Sequence, residues 1–203
     1  MKKSPPLHVL GVIGSPRSDS TSAAFVSTAL AHVRTLGAEV RLLDLRATPL
    51  PFFDPENGGG DPVAATATTL VRWADAFVLG TPDYHGAPSG TMKNFLDHFW
   101  KELAGKLFAI VVASNEKGLT TQEHLRTSIR QCYGWSLPYG VGAAAAAASE
   151  GGTVSDPGVR RRLETMARDL VVYGSLLRDQ RLADLAAARD PLVAGFMARM
   201  HLD

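Results

Sequence analysis

Five short apolar runs, separated by longer stretches with helical spacing, set the outline of the chain. Residues 8–14, 39–45, 75–81 and 106–114 are continuously apolar rather than alternating, as strands covered on both faces are. A fifth and weaker run falls within residues 135–148. Between the runs, Phe25, Ala29, Val33 and Leu36 recur at helical spacing in residues 20–36. Met92, Phe95, Leu96, Phe99, Trp100 and Leu103 do the same in residues 91–103. Residues 62–73, 120–132 and 157–177 complete the set of expected helices. Strand followed by helix, repeated five times, predicts a doubly wound α/β domain with a parallel sheet between two helical layers. The alanine run at residues 143–148 reads as close structural packing beside Gly140 and Gly142.

In sheets of this kind ligands bind at the carboxyl ends of the strands, where the strand order reverses. The first such segment is Gly14-Ser15-Pro16-Arg17-Ser18-Asp19-Ser20-Thr21-Ser22. Hydroxyls and one arginine crowd the start of a helix, where free amides and the positive end of the helix dipole favour an anion. A phosphate monoester suits this better than a diphosphate, because the glycines of GxGxxG and the P-loop lysine are both absent. The plainer reading is a serine-capped helix start with a solvated arginine. After the third strand comes Thr81-Pro82-Asp83-Tyr84-His85-Gly86-Ala87-Pro88-Ser89-Gly90. Its prolines stiffen the loop, its glycines permit turns and close approach, and Tyr84 offers a flat ring. The alternative is a rigid turn with Tyr84 and His85 on the surface.

Composition narrows the classes without choosing among them. The 203 residues make one domain the expected number, since 203/150 is about 1.4. With 21 Lys+Arg against 20 Asp+Glu, the net charge of +1 argues against a polybasic nucleic-acid binder. Cys132 is the single cysteine, so no internal disulfide can form; it reads as a small buried hydrophobe. No apolar run is long enough for a signal peptide or a membrane span, and a soluble cytoplasmic protein is expected.

Two motifs carry a resemblance. Gly14-Ser15-Pro16-Arg17-x-x-Ser20-x-Ser22 resembles the GSxRxxSxN loop of the NADPH-dependent FMN reductase family. The run from Pro82-Asp83-Tyr84 through Gly90 to Lys93-Asn94-x-x-Asp97 resembles its longer PEY…G…KNxxD signature. Leu50-Pro51 before Asp54, and Leu125-Arg126, are similar to further family positions, and the likeness spans residues 7–178. It implies a flavodoxin-like three-layer sandwich with a five-stranded sheet in the order 2-1-3-4-5. It also implies bound FMN, NADPH or NADH as co-substrate, a small-molecule electron acceptor (flavin, quinone, azo compound or metal oxyanion) and a homodimer or homotetramer. No protein general base is needed for such chemistry.

Carried over by position, Ser15, Arg17, Ser20, Thr21 and Ser22 would hold the FMN phosphate. Pro82, Asp83, Tyr84, His85 and Gly86 would follow the ribityl chain and one edge of the ring, with Ser114 and Gly118 bounding the other side. Amides near residues 83–86 and in the Lys117–Gly118 turn would face the reduced ring. Two departures stand out: Ser22 replaces an asparagine, and residues 114–120 lack the family's string of glycines. The rival reading is a flavodoxin-type electron carrier without its own NAD(P)H oxidation, which the weak net charge disfavours.

Two stretches fall outside the motifs. Residues 46–62 hold four prolines and three consecutive glycines, and a loop of this length is usually functional or disordered. Phe52 and Phe53 there either shape an acceptor pocket or a neighbour's surface, or belong to the core. Beyond a domain of residues 1–178, residues 179–203 read as a helical extension, broken at Pro191, with Leu182, Leu185, Leu192, Val193, Phe196, Met197 and Met200 at helical spacing. It covers its own core or serves as a partner-facing arm.

Overall fold

Burial on both faces decides which apolar runs form the middle of the sheet. β1 (His8–Ile13), β3 (Ala76–Tyr84) and β5 (Leu107–Ala113) are buried along most of their length. β2 (Glu39–Asp44) keeps most of its residues in contact with solvent and forms an edge. Short strands β4 (Ala87–Pro88), β6 (Trp135–Ser136) and β7 (Val141–Ala143) complete a seven-stranded sheet in the order β2-β1-β3-β5-β6. This is a computed structural model, and it describes residues 5–56, 61–148 and 152–187.

The expected order 2-1-3-4-5 is present, with two additions. β4 folds back antiparallel on the end of β3, a hairpin that the continuous apolar run does not announce. The fifth position is shared by β6 and β7, both parallel to β5. Pro138, which has no amide to donate to the ladder, lies between them.

Helices cover both faces. α1 (Thr21–Thr35) and α5 (Pro157–Ala186) pack on the face carrying Val9, Val78, Ala109 and Val111. α2 (Pro62–Trp73), α3 (Gly90–Asp97) and α4 (Leu119–Gln131) pack on the face carrying Leu10, Phe77, Leu79, Phe108 and Ile110. One helix end differs from expectation. α3 stops at Asp97 and a 3₁₀ turn at Lys101–Leu103 follows, although Phe99 and Leu103 are still buried. The apolar spacing therefore continues after the helix has ended. α5 runs unbroken past 177 to Ala186, so the expected helix and the start of the expected helical extension form one element. Pro191, Leu192, Val193, Phe196, Met197 and Met200 lie outside the described residues. Among those described, no helix is long and apolar enough to cross a membrane.

Candidate functional site

The chain reverses direction across the sheet between β1 and β3, and their carboxyl ends are stitched together there. Gly14 N–H donates to the Gly80 carbonyl at 2.8 Å, and the Ser89 hydroxyl donates to the Gly14 carbonyl at 2.5 Å. Ser89 also caps α3, accepting the Met92 N–H at 3.1 Å. One buried serine thus fixes both loops and starts a helix.

The segment before α1 does two jobs with one set of hydroxyls. Ser20 is the N-cap and accepts the Ala23 N–H at 3.2 Å, while its oxygen lies 2.9 Å from the Ser22 hydroxyl oxygen. Ser15 and Ser22 are buried. The amides of the first helical turn have no intrahelical acceptor, so they and the dipole leave a positive concavity. The capping reading is thus met by Ser20, and the same arrangement leaves room for an anion. Arg17 is the open member: its side chain is 69% exposed and pairs with Asp19 at 3.5 Å.

β3 and β4 join through a two-residue turn, His85–Gly86, with φ +57 and +78. Positive φ at both central positions is the type I′ geometry that suits the right-handed twist of a hairpin. Glycine meets the requirement freely at 86; His85 does not. Asp83 braces the turn, accepting the Gly86 N–H at 2.8 Å and the Ser114 hydroxyl at 2.9 Å. Tyr84 presents a half-exposed ring beside it.

The loop after β5 ends in Lys117 and Gly118 with φ +67 and +61, immediately before α4. It is held close without a string of glycines because the neighbouring strand yields room. A Cβ on Gly142 in β7 would lie 1.8 Å from the Lys117 carbonyl oxygen. The Gln122 side chain also donates to that carbonyl, at 3.1 Å.

These three loops surround one cleft of about 1400 Å³. All twelve residues picked out from the sequence line it: Ser15, Arg17, Ser20, Thr21, Ser22, Pro82, Asp83, Tyr84, His85, Gly86, Ser114 and Gly118. A fourth wall was not foreseen. Ala145, Ala148 and Gly152 line the cleft, although the alanine run carries no chemistry to mark it. Conversely, the rest of the long signature is spent on structure. Lys93 pairs with Asp97 at 2.5 Å, and the Asn94 side chain accepts the Phe53 N–H and donates to the Pro51 carbonyl, both at 2.9 Å. This straps residues 50–53 along α3. Phe52 and Phe53 neither line the cleft nor join the core: Phe52 is 92% exposed, and Phe53 meets His98 edge-on at 5.5 Å.

Comparison with known proteins gives the family and the fold. The sequence model of the NADPH-dependent FMN reductase family matches residues 7–149. The chain belongs to that family. Its class of activity is accordingly that of an FMN-dependent NAD(P)H oxidoreductase. An FMN-dependent NADPH-azoreductase of Staphylococcus saprophyticus is 30% identical over 135 residues, 63% of this chain and 71% of the relative. Among solved structures, the flavoenzyme NAD(P)H:(acceptor) oxidoreductase of Paracoccus denitrificans aligns with TM-score 0.70 at 18% identity, covering 83% of this chain and 97% of the other. An NADH:FMN oxidoreductase in its apo form aligns with TM-score 0.68 at 20% identity, covering 82% and 89%. The two structures share the fold.

The residues present fit FMN. The cradle before α1 offers neutral hydroxyls, helix amides and one guanidinium, a donor set for a phosphate monoester. The cleft volume exceeds the roughly 300–1,000 Å³ of ordinary small-molecule pockets, which leaves room beside a flavin.

Proposed function

We propose that this chain holds FMN with its phosphate against Ser15, Arg17, Ser20, Thr21 and Ser22, and serves an oxidoreductase that reduces a small acceptor at the expense of NAD(P)H. One observation carries the placement: three loops from separate strand ends, each selected for a different part of the same ligand, converge on one cleft. The buried hydroxyls of Ser15 and Ser22 and the first-turn amides of α1 take the phosphate, and Arg17 closes over it from solvent. Pro82, Tyr84, His85 and Gly86 form one long wall, stiffened by the hairpin; Ser114 and Gly118 form the other. Bound FMN supplies the hydride chemistry, and the protein supplies position and electrostatics. The acceptor belongs to the flavin, quinone, azo or metal-oxyanion classes. The family resemblance supports a cytoplasmic homodimer or homotetramer as the working form.

The test is direct. The purified chain binds FMN, seen as quenched flavin fluorescence, and oxidises NADPH when a quinone is added. Arg17→Ala weakens FMN binding by roughly tenfold, the low end for a charge-assisted contact because this side chain is solvated. Unchanged affinity in R17A places the phosphate elsewhere, and a chain that neither binds FMN nor oxidises NADPH defeats the reading.

A further inference from the structure

Asp83 differs from the other residues around the cleft because each of its carboxylate oxygens already holds a donor. Oδ1 accepts the Gly86 N–H at 2.8 Å, and Oδ2 accepts the Ser114 hydroxyl at 2.9 Å. Ser114 is itself tied down: its N–H donates to the Ala143 carbonyl at 2.9 Å, and its oxygen accepts the Glu116 N–H at 3.1 Å. One relay therefore runs from β7 through the end of β5 to the end of β3 and into the His85–Gly86 turn.

That turn is the part in need of support. His85 sits at φ +57, and a non-glycine residue in the left-handed region costs on the order of 1–2 kcal/mol. Turns of this type favour Asn-Gly, Asp-Gly or Gly-Gly, and histidine is outside that set. The amide that Asp83 accepts belongs to the second of the turn's two central residues, so the carboxylate holds the backbone where the strain lies.

We infer that Asp83 is a positioning residue and not a ligand of the flavin: through Gly86 and Ser114 it locks the left-handed turn to the end of β5, setting the cleft wall before anything binds. This rests on FMN occupying the cleft as proposed above. Asparagine at 83 keeps both bonds, its carbonyl oxygen accepting from Gly86 and its amide donating to the Ser114 oxygen. Alanine keeps neither.

The experiment compares full-length wild type, D83N, D83A and S114A, each without flavin, by amide exchange at residues 84–87, and then by FMN titration. D83A speeds exchange in that segment by roughly tenfold or more and weakens FMN binding by a similar factor, while D83N stays within about threefold of wild type in both. S114A gives a smaller rise confined to the same amides, and adding it to D83A brings little further loss, because both act through one bond. Wild-type exchange in D83A overturns the inference. So does a D83N chain as impaired as D83A, since that would make the charge itself what the ligand requires. If D83A fails to fold, S114A and D83N carry the comparison: an S114A turn that exchanges like wild type is the overturning result. Exchange is read without FMN, so a wild-type chain that binds none would defeat the proposed function while the role of Asp83 is still decided.

Discussion

Lys106 is a residue whose chemistry the fold alters strongly. It is 5% exposed, and its ammonium donates to the Val71 carbonyl at 2.8 Å, in the last turn of α2. Burial, reinforced by nearby Arg181, pulls its pKa down to about 7, against the opposing pull of Asp75 and Glu102. The unfolded chain binds this proton up to about pH 10.5, so between about 7 and 10.5 the unfolded state carries more protons than the folded one. The contribution of Lys106 to stability is therefore fully present above that window and is lost as pH falls towards 7. Lys106→Met is expected to be more stable than wild type at pH 6, by on the order of 3 kcal/mol once the lost bond to Val71 is allowed for. The advantage closes towards pH 10.5, and urea denaturation at the two pH values reads it. An equal advantage at both would show that packing, not the charge, sets the difference. Cys132, expected to be a small buried hydrophobe, is only half-buried, and burial pushes its thiol pKa up, which leaves it little thiolate.

At the level of elements, α5 shows a helix whose inner face passes from apolar residues to charged ones. Leu163, Met166 and Leu170 are buried, Gly174 and Leu177 carry the inner face onward, and beyond them the anchors are arginines. Arg178 is buried and donates to the Pro5 carbonyl at 2.8 Å; Arg181 pairs with Asp75 at 3.0 Å. Hydrophobic periodicity cannot signal an arginine that packs inward, so the sequence marks this stretch only by Leu182 and Leu185, which are exposed in the helix. Arg181→Ala leaves Asp75 with His8 as its remaining partner and is expected to cost on the order of 3 kcal/mol in chemical denaturation. A loss below about 0.5 kcal/mol would reduce the pair to the value of a surface ion pair. The strands were easier to read. The runs that form β1, β3 and β5 are continuously apolar, and both faces of each are covered. The hairpin strand β4 was not legible, since Ala87–Pro88 depends on the His85–Gly86 turn rather than on hydrophobicity. Nor was the wall at Ala145 and Ala148, which lines the cleft through its placement alone.

For the molecule as a whole, near-neutral net charge hides an uneven cleft. The chain carries +1 overall, but among the described residues lining the cleft Arg17 is the single Lys or Arg, against Asp19, Asp83 and Glu116. Asp19 is paired with Arg17, so the uncompensated carboxylates are Asp83 and Glu116, on the loops away from the phosphate cradle. The motifs in the sequence located these residues without revealing the imbalance, because it appears only once the three loops meet. A dianionic phosphate held in the cradle adds to it. Each carboxylate about 8 Å from an anionic acceptor opposes its approach by about 0.5 kcal/mol in water, and by about 2 kcal/mol at an effective dielectric constant of 20. Nicotinamide dinucleotides carry their phosphates away from the ring that gives up hydride, so the penalty falls chiefly on acceptors charged at the reacting ring. An uncharged naphthoquinone is therefore expected to show kcat/KM about tenfold above that of its sulfonated counterpart at 20 mM salt, after correction for their potentials. At 0.5 M salt the gap should shrink severalfold, because the Debye length falls to about 4 Å. Glu116→Gln should narrow it at low salt by raising the rate for the sulfonated acceptor while leaving the uncharged one near its wild-type value. A gap that survives both high salt and E116Q would have to come from shape, and the charge of this cleft would then have no part in choosing the acceptor.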